Sequence, residues 1–114
     1  MHNKDKFGIN TILESIDKIF NYSRPYKNAD DFYNSPKEFD ASMMNFIIIG
    51  EMAVRLSEDF KEKHSNIDWF KIKGFRNIVA RDYFGIDAEE VWDIIQKHLP
   101  QLQIDLSSIG LVEF

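Results

Sequence analysis

The chain contains no cysteine. That excludes disulfides, thiolate zinc sites and cysteine nucleophiles, and it fits a reducing cytoplasm, the location we expect. Five glycines and three prolines in 114 residues are too few for a turn-rich sandwich or barrel, so a helical fold is favoured. The longest uninterrupted apolar run, Phe46 to Ile49, falls far short of the roughly 20 residues that span a bilayer. Met1-His2-Asn3-Lys4-Asp5-Lys6 leads into an amphipathic stretch and not into the apolar core of a signal segment. No glycine-rich phosphate loop occurs, so the chain is not itself a nucleotidyltransferase. Positive charge is in short supply too: a net charge of −5 argues against a general nucleic-acid binder.

What is present is an ordinary globular mixture, 44% hydrophobic and 29% charged. No linker or repeat divides it, so residues 1–114 read as a single domain large enough for a real core. The charge is unevenly placed. Lys61 to Arg81 holds six cations and two anions, whereas Asp82 to Phe114 holds seven acids and one lysine. A local basic region on an acidic protein can hold one phosphate backbone without binding nucleic acid everywhere; equally, these lysines can be solvated helix ends.

Hydrophobic periodicity is helical throughout. Ile9, Ile12, Leu13, Ile16, Ile19 and Phe20 mark a first amphipathic helix, which Pro25 prevents from continuing. A short helical piece follows around Ala29–Tyr33. Ser35-Pro36 has the form of a helix start, with Ser as N-cap and Pro at the first position. From there the pattern stays helical to about Lys63, and its centre, Met43 to Ile49, is apolar nearly all round, as in a central helix with several neighbours. Asn66 or Asp68 starts a third helix carrying Trp69, Ile72, Phe75, Val79 and Tyr83, ended by Gly85. Asp87-Ala88-Glu89-Glu90 starts a fourth. Pro100 is expected to kink or break it, with Leu102, Ile104, Leu106 and Ile109 continuing an apolar face beyond. The expected architecture is an all-α antiparallel bundle of four to five helices.

The third helix carries an unusual density of polar groups, Arg76-Asn77-Ile78-Val79-Ala80-Arg81-Asp82-Tyr83. At about 100° per residue, Arg76 and Tyr83 share a face, as do Asn77 and Arg81, while Arg76 and Arg81 flank one edge about 140° apart. Such an edge can line a groove. The arginines supply planar donor arrays suited to phosphate, Asn77 a donor and an acceptor, and Tyr83 a hydroxyl and a stacking face. The structural alternative is that Arg76 and Arg81 pair with Glu51 and Asp59, and that Tyr83 is a core aromatic with a wet tip. Glu51, following Gly50 inside an apolar helix, reads as an acid paired with an arginine or as part of a cleft.

This segment resembles the Arg-x-x-x-x-His-x-Tyr motif of HepT-like proteins in the HEPN superfamily, the toxin half of HEPN–MNT toxin–antitoxin pairs. The likeness extends to Ile48-Ile49-Gly50-Glu51-Met52-Ala53-Val54-Arg55-Leu56-Ser57, Ile67-Asp68-Trp69, Gly74-Phe75-Arg76-Asn77, Asp82-Tyr83-Phe84-Gly85-Ile86-Asp87, Val91-Trp92 and Leu99-Pro100, nearly the whole chain. The resemblance implies a HEPN-like bundle that forms a homodimer through its motif helices. It implies metal-independent RNA cleavage at a shared cleft, with tRNA the substrate class in some members and no cofactor. The implied partner is an MNT-type nucleotidyltransferase antitoxin that can adenylylate the motif tyrosine. Carried over by position, Arg76 is the catalytic phosphate-binding arginine, Asn77 a supporting polar residue and Tyr83 the candidate modification site.

One departure bears on the chemistry. The position of the motif histidine is Arg81. Metal-free cleavage needs a group that takes a proton from the 2′-hydroxyl and returns one to the leaving oxygen; arginine stays protonated and cannot be the base. Arg81 can still bind phosphate and stabilise developing charge. The expectation is a ribonuclease toxin impaired at Arg81; the alternatives are an inactive binding module for the nucleotidyltransferase and a plain helical dimer. Among the remaining candidates, His64 reads as a loop residue and His98 as a helix-end residue, neither with the converging ligands of a metal site. Trp69 and Trp92 read as anchors and Asp87 as a cap. The apolar faces exceed what one four-helix layer covers, which also favours self-association.

Overall fold

A computed structural model describes residues 3–80, 85 and 87–113. The chain forms the all-α bundle its periodicity predicts. Helix α1 (Asn3–Ser23) buries Ile9, Ile12, Ile16 and Ile19 completely. Each contributes on the order of 1.5–3 kcal/mol by leaving water, so this face, and not any ion pair, anchors the helix. Helix α3 (Pro36–Arg55) lies antiparallel to it, since Gly8 near the start of α1 meets Leu56 at the far end of α3. The α3 helix is central, packing on α1 and also on α5 (Trp69–Lys73) and α6 (Phe75–Ala80). Phe46 of α3 meets Phe75 of α6 edge-on, ring centroids 5.7 Å apart.

Short α2 (Ala29–Tyr33) is capped by Asn28, whose side chain accepts from the Asp31 amide at 2.8 Å. Its Phe32 is fully buried and touches Phe39 and Trp92. Trp92 belongs to α7 (Ala88–Asp93), which Asp87 caps through the Glu89 and Glu90 amides, as expected. The last helix, α8 (Leu99–Glu113), packs on α1. No helix among the described residues is long and apolar enough to cross a membrane.

Four local expectations are corrected. The helix expected to run to about Lys63 ends at Arg55, and a separate α4 (Glu58–Lys63) begins after Ser57. The cause is a buried carboxylate: Asp5 accepts from both the Ser57 amide and its hydroxyl at 2.7 Å, while the same hydroxyl accepts from the Phe60 amide at 3.2 Å. This arrangement holds Ser57 extended as an N-cap. The third helix divides at Gly74 into α5 and α6. Ser35 occupies an N-cap position, but its hydroxyl donates back to the Asp31 carbonyl at 3.1 Å and caps nothing.

Pro100 does not break the fourth helix. A π-helical turn, Ile94–His98, joins α7 to α8, and the Leu99 amide bonds the Ile94 carbonyl five residues back. The wider turn takes up the space where the proline ring would otherwise meet the Gln96 carbonyl. His98 is consequently inside a continuous helical rod and not at a helix end.

Candidate functional site

Arg76 is the second residue of α6, one turn after α5 ends. The crossing that places it depends on Gly50. A Cβ on Gly50 would lie 3.0 Å from the Arg76 nitrogen, from the Arg76 Cβ and from the Lys73 carbonyl oxygen. Any larger residue in α3 would push the α5–α6 junction away. Glycine therefore brings the main chain of Arg76 directly against α3, next to Glu51.

The Arg76 Nη1 donates to Glu51 Oε1 at 2.8 Å, with the two side chains 31% and 41% exposed. An ion pair this open contributes about 0–1 kcal/mol, so packing, not charge, holds α6 in place. The pair orients one edge of the guanidinium and leaves the group in contact with solvent. Of the two readings of Arg76, the pairing with Glu51 is real, yet it does not seal the arginine inside the subunit. Asn77 is exposed beside it, its amide nitrogen bonded to the Gly74 carbonyl at 2.9 Å. Arg81 and Tyr83, with Asp82, lie outside the described residues.

A second polar cluster occupies the other side of the α5–α6 junction. The Lys71 ammonium lies 3.1 Å from His98 Nδ1 and 3.3 Å from Nε2. Asp93 pairs with Lys97 at 2.8 Å and sits 3.9 Å from His98 Nε2. The hydrogen bond from Lys97 is the main reason the Asp93 carboxyl is held below its ordinary range, and the reciprocal bond raises the Lys97 ammonium. Lys71, His98, Asp93 and Glu90 rim a cavity of about 350 Å³ floored by Phe75 and Ile78. Sequence reading missed this cluster because it took Pro100 as a helix end; the signal was the i, i+4 spacing of Asp93 and Lys97 just before His98. Among the described residues no three His, Asp or Glu side chains converge as metal ligands do. The His64 ring lies tilted against Phe60, ring centroids 4.7 Å apart, and the residue's carbonyl accepts the Trp69 indole at 3.1 Å. Trp69 and Trp92 are partly buried against the core, as expected of anchors.

A groove of about 570 Å³ runs along α3 from the end of α2 to Val79 of α6; Tyr33, Phe39, Met43, Ile47 and an exposed Met44 make it largely apolar, with Asn34 and Asp40 interrupting.

The comparisons with known proteins agree with this architecture. Residues 12–109 match the family model described as ribonuclease HepT-like. The chain is 36% identical over 104 residues to a Methanocaldococcus jannaschii protein named "Gamma-glutamylcyclotransferase and putative RNase", covering 91% of this chain and 46% of that protein. It thus spans about half the length of that relative. It is 34% identical over 80 residues to a "Putative RNase" of Caldanaerobacter subterraneus subsp. tengcongensis, covering 70% of this chain and 71% of that one. Against a "Probable ribonuclease HepT" of Thermococcus cleftensis it is 28% identical over 103 residues, 90% of this chain and 93% of the relative. No solved structure matches. With a helical bundle across the described residues, an arginine lodged against the central helix and a family match over most of its length, the chain belongs to the ribonuclease HepT-like family of the HEPN superfamily.

Proposed function

We propose that this protein is a ribonuclease-type toxin of a HEPN–MNT pair, acting on RNA in a cleft between two copies of the chain, with its chemistry impaired by Arg81. The observation that carries the reading is the half-open Arg76, wedged over Gly50 and oriented by Glu51. A guanidinium so held is a preorganised phosphate ligand: its backbone cannot retreat, and one carboxylate aims the planar donor array. Asn77 is exposed next to it and can bond a phosphate or ribose oxygen. What supports a second copy is the largely apolar groove along α3, which carries the exposed Tyr33 and Met44.

The reaction is a transesterification in which the 2′-hydroxyl attacks the adjacent phosphorus and the 5′-oxygen leaves. Arg76 binds the phosphate and stabilises the charge that gathers on its oxygens. Arg81 adds positive charge but accepts no proton, so the 2′-hydroxyl lacks its base. The partner is a nucleotidyltransferase of the MNT type, and Tyr83 is the hydroxyl it adenylylates. Arg81 also favours a second reading, a HEPN module that binds this partner and RNA without cutting.

The test compares the chain with its Arg81→His variant for RNA cleavage in the presence of a chelator and for growth arrest in the host. Cleavage rising about 10²–10⁴-fold in the variant, the usual contribution of a general acid–base group, supports an impaired ribonuclease. No cleavage by either form contradicts it and favours the binding module. Intact mass after co-purification with the nucleotidyltransferase reads out an added AMP.

A further inference from the structure

We propose that Phe70 is a base-stacking platform that extends the RNA site along the exposed face of α5 and α6; this rests on the ribonuclease reading above. Phe70 is 83% exposed, more than any other large hydrophobic among the described residues, Phe7 following at 66%. A phenylalanine left in water forgoes the gain of burial, and lysine or glutamate would serve the helix better at such a position. Its neighbours do turn inward: Ile72 is buried, and the Trp69 indole is bonded to the His64 carbonyl. Phe70 packs against none of the core.

What surrounds the ring identifies its ligand. Gly74 has right-handed helical geometry, φ −66 and ψ −15, so the helical phase of α5 carries into α6. The amide of Gly74 bonds Phe70 at 3.0 Å and that of Asn77 bonds Gly74 at 2.9 Å. Phe70, Lys73 and Asn77 then fall on one face, seven residues being about two turns, and all three are exposed. Among the described residues no carboxylate pairs with Lys73. A docking site for a protein partner would show a contiguous apolar patch. Here a lone ring lines a shallow pocket with Lys61, Glu62 and Asp68, and on its own face it is followed by the Lys73 cation and the Asn77 amide, with Arg76 about 100° round the helix from Asn77. An aromatic face beside a track of positive charge is how single-stranded nucleic acid is held without sequence preference. At about 1.5 Å per residue, Phe70 lies about 9 Å along the axis from Arg76. Six residues also turn about 120° round the helix, so the stacked base belongs to a nucleotide reached around the helix from the bound phosphate and not to the one directly on it.

The test is fluorescence anisotropy with a labelled single-stranded RNA 16-mer of mixed sequence, read across a salt series, on the full chain and on Phe70→Ala, Phe70→Trp, Lys73→Ala and Arg76→Ala. Base stacking is worth about 1–3 kcal/mol per base, so Phe70→Ala should bind about 5- to 150-fold more weakly with an unchanged salt slope. Phe70→Trp should recover the affinity. Lys73→Ala and Arg76→Ala should each lower the salt slope by about 1. Unaltered binding in Phe70→Ala alongside weakened binding in Arg76→Ala would overturn the stacking role and leave the RNA site standing. No RNA binding by the parent chain would overturn both. Sedimentation of each variant supplies the remaining outcome: a smaller assembly for Phe70→Ala would assign the ring to a protein interface and overturn the proposal.

Discussion

Gly50 and Arg76 meet main chain to main chain: a Cβ on the first would stand 3.0 Å from both the nitrogen and the Cβ of the second. Gly50→Ala therefore sets two effects against each other. Alanine gains about 0.8–1.0 kcal/mol of helix propensity, while overpacking at a site with no flexible side-chain end to yield costs about 1–3 kcal/mol. The account expects overpacking to win, with net destabilisation of about 1 kcal/mol measured by urea unfolding. A stabilised variant would mean that α6 can slide away from α3 without loss.

Glu51 holds the guanidinium at 2.8 Å but is itself 41% exposed. Glu51→Gln keeps an oxygen acceptor and removes a negative charge from beside the proposed phosphate. Stability should change by less than about 0.5 kcal/mol. Two unit charges about 4 Å apart in water repel by about 1 kcal/mol, so RNA affinity should rise about fivefold at low salt. Anisotropy titration checks it; weaker binding would show that the carboxylate itself is needed.

Asp5 is buried and accepts two hydrogen bonds from Ser57. Bonds to a charged acceptor contribute about 1.5–3 kcal/mol, so Asp5→Ala should lower the midpoint of chemical unfolding by an amount equivalent to about 2–3 kcal/mol. Because Asp5 and Ser57 share one network, the double-mutant cycle with Ser57→Ala should show coupling above about 0.5 kcal/mol.

Asp93 and Lys97 provide a titration test. The hydrogen bond from Lys97 is the first cause of the lowered Asp93 carboxyl, and the bond to Asp93 is the first cause of the raised Lys97 ammonium. A lowered carboxyl contributes stability that is present above its unfolded value and lost as pH falls through the folded one. A raised ammonium contributes stability that is present below its unfolded value and lost as pH rises through the folded one. Both groups are exposed, so the effect should fade in salt. By NMR titration, Lys97→Met should return the Asp93 carboxyl toward its ordinary range; an unmoved midpoint would contradict the assignment.

Much of the fold was legible because it rests on periodicity. The isoleucine stripe of α1, the apolar centre of α3, and the caps Asp68 and Asp87 all stand where their spacing placed them. What stayed hidden depended on contacts distant in sequence. Ser57 before Glu58-Asp59 is a local helix-start signal that the continuous apolar pattern masked, and the carboxylate that fixes it lies 52 residues away. Pro100 is a strong stop signal in isolation, and only the π turn ahead of it lets the helix pass. At the site, the pairing of Glu51 with an arginine was legible as the need of an acid inside an apolar helix, although the carboxylate proves to be 41% exposed. The role of Gly50 was not, since a glycine in a helix states that space is short without stating what fills it.

The central claim is that Arg76 grips the scissile phosphate while the missing base at position 81 limits the chemistry. The most direct measurement is single-turnover cleavage of a labelled RNA, with chelator present, by Arg81→His and by Arg81→His with Arg76→Ala. The account predicts clear cleavage by the first, with a rate that rises as pH passes the histidine range near 6.5, and a loss of about 10²–10³-fold in the second, as for removal of a charge-stabilising donor. Equal rates for the two variants would contradict it.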